Sequence, residues 1–255
     1  MSQVTAIVLA GSRPGVDAFA QAYGTDLKAL IPIAGEPMVR RPVRALLESR
    51  SVERIRVLAQ QPDRIGAVLP KENSVSIEAS GSTIASTLEE FCLDPNTQWP
   101  LLVTTADHAL LTAAMVDDFI AKAKGADIAI GLVERRSLLK RLPDSQRTWL
   151  KFRGGAYSGA NLFLLGGPQV QPALELWRSV EQDRKKVLRV LWQLGFFGFL
   201  GAALRFRTLQ QALDGVGRKL GLTIRAVELS DPLAAVDVDK PADHQLVTAI
   251  IEGRA

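Results

Sequence analysis

Short apolar runs bounded by glycine, proline and polar turn residues alternate along this chain with longer stretches whose apolar positions recur at helical spacing. The runs at 5–10, 54–59, 75–77, 100–105, 127–133, 161–165 and 223–227 have the length and composition of buried strands. Between them, 37–50, 82–92, 113–124, 169–181 and 242–252 carry the spacing of amphipathic helices. Near-continuous apolar strands alternating with helices predict a mostly parallel sheet covered on both faces. Ligands of such sheets gather outside the carboxyl ends of the strands, so chemistry is to be sought in the residues that follow each apolar run.

The first run empties into Gly11-Ser12-Arg13-Pro14-Gly15, and a second cation, Lys28, stands just before the next apolar stretch. Gly11 and Gly15 permit positive φ and close approach, so successive N–H groups can turn toward one anion. Arg13 adds a planar donor fork and Lys28 a compact charge. That set suits a triphosphate. The spacing is neither G-x-x-x-x-G-K-[ST] nor G-x-G-x-x-G, so the P-loop and the dinucleotide fingerprint are both excluded. Taken alone, a glycine turn after a strand also serves as plain connection.

Residues Leu9, Ala10, Gly11, Arg13, Lys28, Pro32, Gly35, Pro37 and Met38 match the signature LAGGxGxR…K…PxxGxPM. The chain thereby resembles the MobA-like NTP transferases, a nucleotidyltransferase family with a three-layer, Rossmann-like sheet of the GT-A type. Two departures stand out: Ser12 replaces the second glycine, and residues 16–25 form an insert before Lys28. The resemblance implies that Leu9, Ala10, Gly11, Ser12, Arg13 and Lys28 contact the nucleotide, with Arg13 and Lys28 also serving catalysis.

Further segments fall along the same pattern in order. Ala106-Asp107-His108-Ala109-Leu110-Leu111-Thr112 resembles the family's (G/A)D-x-P-LLT, with Ala109 in place of proline, and implies Asp107 as a Mg²⁺ ligand. Thr112 is a suitable cap for the helix that follows. Asp237-Val238-Asp239-Lys240-Pro241 resembles the family's second acidic site, which implies Asp237 as metal ligand with Asp239 beside it. Asp239 is equally suited to cap a helix whose first residue is Pro241. Carboxylates brought together from distant positions suit a hard cation that prefers oxygen. With two histidines, one cysteine and no HExxH or CxxC, zinc is not expected.

Ser80-Gly81 leads through hydroxyl residues into a helix, offering main-chain and side-chain groups able to read a base edge. The resemblance picks out Gly81 and Ser86 for that role. The competing reading is a helix cap by Ser80 or Ser82. Ser158, Gly159 and Asn161 match a family turn that faces the acceptor, and Arg147, Lys151 and Arg153 precede it as donors for a phosphate on the incoming substrate. Those three cations read equally well as a solvated rim.

A chain of 255 residues, 47% of them hydrophobic, with no Ser/Pro/Gly-rich linker, is expected to form a single domain over 1–255. A net charge of +4 suits acidic small molecules and does not by itself point to nucleic acid. The single cysteine, Cys92, lies in an apolar stretch and fits a core thiol; nothing near Met1 reads as a signal peptide, and a cytoplasmic location is expected. Set against the family's shortest members, residues 183–220 are expected to be a helical insertion. Its apolar stretch 190–204 is flanked by Lys185, Lys186, Arg205 and Arg207 and is too short for a membrane span. Three readings of 185–207 stand: packing on the sheet, a homodimer interface, or peripheral contact with the inner membrane surface.

The resemblance implies Mg²⁺-dependent transfer of a nucleoside monophosphate, CMP from CTP, to a small phosphorylated acceptor such as a phosphoglycerate or polyol phosphate. Its alternatives are guanylyl transfer to a molybdopterin-type cofactor and a GT-A glycosyltransferase using Asp237 and Asp239 as its D-x-D pair.

Overall fold

The computed structural model describes residues 3–11, 15, 17–81, 83–182 and 206–255. Its strands are β1 (Val4–Leu9), β2 (Pro32–Ile33), β3 (Glu36–Pro37), β4 (Val52–Ala59), β5 (Val75–Ala79), β6 (Leu101–Thr105), β7 (Ile128–Glu134), β8 (Leu150–Phe152), β9 (Gly155–Leu165) and β10 (Ile224–Glu228). Its helices are α1 (Ala18–Gln21), α2 (Arg40–Glu48), α3 (Pro62–Gly66), α4 (Ile84–Leu93), α5 (Ala113–Ala123), α6 (Arg135–Arg141), α7 (Gln171–Gln182), α8 (Leu209–Leu220) and α9 (Pro241–Ile251).

The main sheet runs in the order β10-β7-β9-β6-β1-β4-β5, with β8 paired to β9. Along that path β9 alone is antiparallel to its neighbours. The sheet is therefore mostly parallel, and its central strands β1 and β6 bury side chains on both faces. Ala6 and Val8 of β1 join Val43 and Leu46 of α2 and Phe119 of α5 on one side. Ile7 joins Leu88 of α4 and Leu174 of α7 on the other. Alternation with a period of two sends neighbours in one strand to opposite layers.

After β1 the chain builds outward through β4 and β5, then returns to lay β6 on the opposite side of β1. That reversal opens a crevice between the carboxyl ends of β1 and β6, where ligands of such sheets bind.

Several element boundaries differ from expectation. The helix anticipated at 37–50 begins only at Arg40, because Glu36 and Pro37 are drawn into a hairpin with Pro32 and Ile33. Pro42 is tolerated in the helix's first turn, where its missing N–H has no helical partner. The helix anticipated at 82–92 starts at Ile84. Thr83 caps it, its hydroxyl accepting from the Ser86 N–H at 3.1 Å, so Ser80 does not serve as the cap. Thr112 caps α5 as anticipated. The strand anticipated at 161–165 extends back to Gly155, because pairing with β8 keeps its first half extended.

The insert holds α1, capped by Asp17, whose carboxylate accepts from the N–H groups of Phe19 and Ala20. Cys92 is half-buried, and burial followed by the Glu89 charge pushes its thiol up to about 11. Of the insertion at 183–220, residues 183–205 lie outside the described residues, which include most of the basic apolar stretch; 209–220 is α8, capped by Thr208. Among the described residues, no helix is long and apolar enough to cross a membrane.

Candidate active site

β1 delivers Ala10, buried and bonded through its N–H to the Leu58 carbonyl at 2.8 Å, and then the exposed Gly11. A Cβ on Gly11 would come 3.0 Å from Nε2 of Gln60, the far end of a flexible side chain. Ser12 and Arg13, the centre of the anticipated phosphate turn, lie outside the described residues.

Lys28 opens a short 3₁₀ turn whose Ala29, together with Leu27 and Ile31, is buried, which fixes the backbone and leaves the side chain facing the crevice residues. Its ammonium donates to Asp107 Oδ2 at 2.7 Å and to Asp239 Oδ1 at 2.6 Å. Burial alone would lower the Lys28 pKa; attraction and hydrogen bonds from Asp107 and Asp239 outweigh it, and the ammonium is held above its ordinary value.

Asp107 follows β6 in a tight turn. The Thr105 hydroxyl donates to its Oδ1 at 2.5 Å, and its carbonyl accepts the Val238 N–H at 3.1 Å. This last bond straps the 236–240 segment across the end of β6 and brings Asp239 to Lys28. His108 behind it is 1% exposed and lies 3.4 Å from the Thr104 hydroxyl. Burial pushes its imidazole down to about 4, so it is neutral at pH 7.

Asp237 has other partners. Arg147 donates to its Oδ1 and, at 3.0 Å, to its carbonyl, while the Asn161 amide donates to Oδ2 at 3.2 Å. Asn161 reaches this position through a bulge in β9. The register with β7 slips between Ile130 and Leu132, and Asn161 takes φ +46°. Asparagine tolerates that left-handed conformation better than most residues, and bulges re-aim side chains beside active sites. Gly131 of β7 faces the bulge; a Cβ there would meet Leu162 Cβ at 3.0 Å and its carbonyl oxygen at 3.2 Å.

Asp239 does not cap α9. Asp243 does that work, its carboxylate accepting from the N–H groups of Asp239 and Lys240 at 3.1 and 3.2 Å, with Pro241 at the first helical position. Asp107 and Asp239 are thus the carboxylates that face a common cation, while both oxygens of Asp237 are engaged elsewhere. Two hard oxygen donors sharing one positive centre fit Mg²⁺, which takes one or two carboxylates and completes its shell with phosphate and water. Among the described residues, no three His, Cys, Asp or Glu side chains are grouped to hold a metal by themselves.

The remaining sequence-derived residues divide. At the end of β5 the Gly81 N–H is already bonded to the Thr87 hydroxyl at 3.0 Å, and the Ser86 hydroxyl is spent on the backbone of Thr83. Among the described residues of this group, the buried Ser80 hydroxyl enters none of these bonds; Ser82 lies outside the described residues. Ser158 is buried in β9 and Gly159 exposed beside it. Arg147, anticipated as an acceptor donor, has its guanidinium on Asp237, whereas Lys151 and Arg153 are exposed on the β8–β9 hairpin.

Thr105, whose hydroxyl holds the Asp107 carboxylate, belongs to no motif in the sequence. The polar residue that closes the apolar run 100–105 was the available signal.

The MobA-like NTP transferase domain model matches residues 6–194. A hypothetical transferase from Thermus thermophilus is 29% identical with a TM-score of 0.78, over 95% of this chain and 99% of its own. Two more distant solved structures share the fold. They are a 4-diphosphocytidyl-2C-methyl-D-erythritol synthase from Anaerococcus prevotii (10% identity, TM-score 0.61, 98% of this chain and 96% of its own) and a CMP:2-keto-3-deoxy-manno-octonic acid synthetase complexed with CTP (12%, 0.62, all of both chains). None of the curated proteins matches. The glycine turn, Lys28 and Asp107 lie within the matched span, on a sheet whose switch point brings β1 and β6 side by side; the chain belongs to the MobA-like NTP transferase family and is a nucleotidyltransferase.

Proposed function

We propose that this nucleotidyltransferase uses Mg²⁺ to transfer CMP from CTP to a small phosphorylated acceptor, releasing pyrophosphate. The observation that carries the reading is the Lys28 ammonium seated between Asp107 and Asp239 at the crevice between β1 and β6. CTP is favoured because solved relatives of this fold are cytidylyl enzymes by their titles, one of them holding CTP. A phosphorylated acceptor is favoured by Lys151 and Arg153, exposed on the hairpin that leads to Asn161.

An acceptor phosphate oxygen attacks the α-phosphorus in line. The new P–O bond forms as the bond to the β-phosphate bridging oxygen breaks, and pyrophosphate leaves with the electron pair. The nucleophile is already anionic, so no general base is required; catalysis consists of positioning and charge neutralisation. Lys28, and Arg13 by its place in the sequence, offset charge gathering on the leaving pyrophosphate. Asp107 and Asp239 would hold Mg²⁺, which when bound withdraws charge from the phosphoryl oxygens. Arg147 and Asn161 hold Asp237, and through it the strap that carries Asp239.

The test is a pyrophosphate-release matrix of the four NTPs against small phosphorylated acids, polyols and sugars. Turnover is expected with CTP and one acceptor class. Lys28→Ala and Asp107→Ala should each lose at least about a hundredfold in rate, the scale of one preorganised electrostatic group. Turnover with GTP alone would move the reading to guanylyl transfer. Sugar transfer from a nucleotide sugar without pyrophosphate release would refute it.

A further inference from the structure

The Lys28 ammonium and a divalent metal have claims on the same two carboxylates. Among the described residues, four aspartates crowd this end of the sheet, Asp107, Asp237, Asp239 and Asp243, against two cations, Lys28 and Arg147, that interact with them. Arg147 is committed: it holds both the carboxylate and the carbonyl of Asp237. Lys28 differs. Its backbone is fixed by buried neighbours, but its ammonium rides on a four-carbon stem and is attached only to side chains, at 2.7 and 2.6 Å.

A divalent ion on Asp107 Oδ2 and Asp239 Oδ1 would sit against that ammonium, like charge on like charge. A triphosphate, conversely, would draw the ammonium toward its own oxygens and leave two carboxylates without a counter-charge. We infer that Lys28 is a built-in counter-cation competing with the divalent metal for Asp107 and Asp239, so that metal and nucleoside triphosphate each release it and thereby strengthen the binding of the other.

This rests on the metal-dependent reading above, with Asp107 and Asp239 as the ligands. It runs against what a plain phosphate-binding lysine would do. Removing such a lysine leaves metal affinity alone, whereas removing a competitor raises it. Because linkage is reciprocal, one factor describes both the help that nucleotide gives metal and the help that metal gives nucleotide.

The experiment measures Mn²⁺ binding to the full-length protein by electron paramagnetic resonance, with MnCl₂ alone and in the presence of CTP. Lys28→Gln and Lys28→Met should each bind Mn²⁺ alone roughly tenfold more tightly than wild type, within the usual range of coupling between sites. In both variants, CTP should no longer improve metal binding beyond what its own phosphates contribute in solution. Adding Asp239→Asn to Lys28→Gln should abolish the gain. Metal affinity unchanged or weakened in folded Lys28 variants would overturn the inference.

A second readout needs no substitution. In wild type with ¹⁵N-labelled lysine, the Lys28 Nζ resonance should shift when MgCl₂ is added in the absence of nucleotide; no shift at saturating metal would overturn the inference equally. Failure of wild type to bind Mn²⁺ even with CTP present would instead overturn the metal-dependent reading on which it rests.

Discussion

Gly131→Ala tests how the sheet aims the site. The added methyl group would face the β9 bulge, 3.0 Å from Leu162 Cβ, 3.2 Å from the Leu162 carbonyl oxygen and 3.4 Å from the Phe119 ring. Leu162 and Phe119 are both fully buried, so neither has solvent into which to yield. Overpacking of this kind costs ~1–3 kcal/mol. Against it stands the reduced freedom of the unfolded chain, which favours alanine over glycine by ~0.4–1 kcal/mol. The balance is a net loss of about 1–2 kcal/mol, or ~2–8 °C in Tm for a chain of this size.

The carbonyl that must move belongs to the residue next to Asn161, whose left-handed backbone directs its amide to Asp237. Activity should therefore fall further than stability explains. Asn161→Gly keeps the permitted backbone while deleting the amide, and should lose activity at a stability cost of about 1–2 kcal/mol, that of the lost hydrogen bond to the Asp237 carboxylate. Urea unfolding and initial rates of pyrophosphate release measure the two effects separately. A Gly131→Ala protein as stable as wild type, or more so, would refute the packing argument. Full activity in both variants would refute the claim that the bulge positions the site.

Ala34 holds φ +46° in the turn between β2 and β3; Ala34→Gly removes a left-handed cost of ~1–2 kcal/mol and returns somewhat less in chain entropy, so Tm should rise by about a degree or two. The His108 value lies below that of the unfolded chain, so the unfolded state binds the extra proton as pH falls from 6.5 to about 4. Roughly 3 kcal/mol of stability should be lost across that window, and His108→Asn should flatten that part of a pH series of urea midpoints. Arg147→Met should destabilise by about 2–3 kcal/mol by stranding a mostly buried Asp237, and pairing it with Asp237→Asn should recover at least ~1 kcal/mol; strict additivity in that double-mutant cycle would sink the coupling.

Much of this architecture was readable in one dimension. Each anticipated strand of the main sheet is present within a few residues, because a buried parallel strand must be a short apolar run and little else satisfies that pattern. Thr112 and Pro241 were legible as helix starts for an equally local reason: caps act within one turn. The hairpin at Pro32–Pro37 and the first half of β9 were not, since each is extended through its pairing with another strand rather than through its own composition.

The division is sharpest at the site. The amino-acid order determined which residue types stand at the strand ends: a lysine near the first turn, an aspartate after Thr105, two more aspartates before Pro241. Which aspartate meets which cation was decided in three dimensions. The bond from the Val238 N–H to the Asp107 carbonyl pins the 236–240 strap across the end of β6 between Asp237 and Asp239, with Arg147 and Asn161 on one side of that anchor and Lys28 on the other. Asp237 consequently falls to Arg147 and the Asn161 bulge, and Asp239 to Lys28. Sequence can nominate charges because charge belongs to a residue; it cannot pair them, because attraction falls off with a distance that only the folded chain defines.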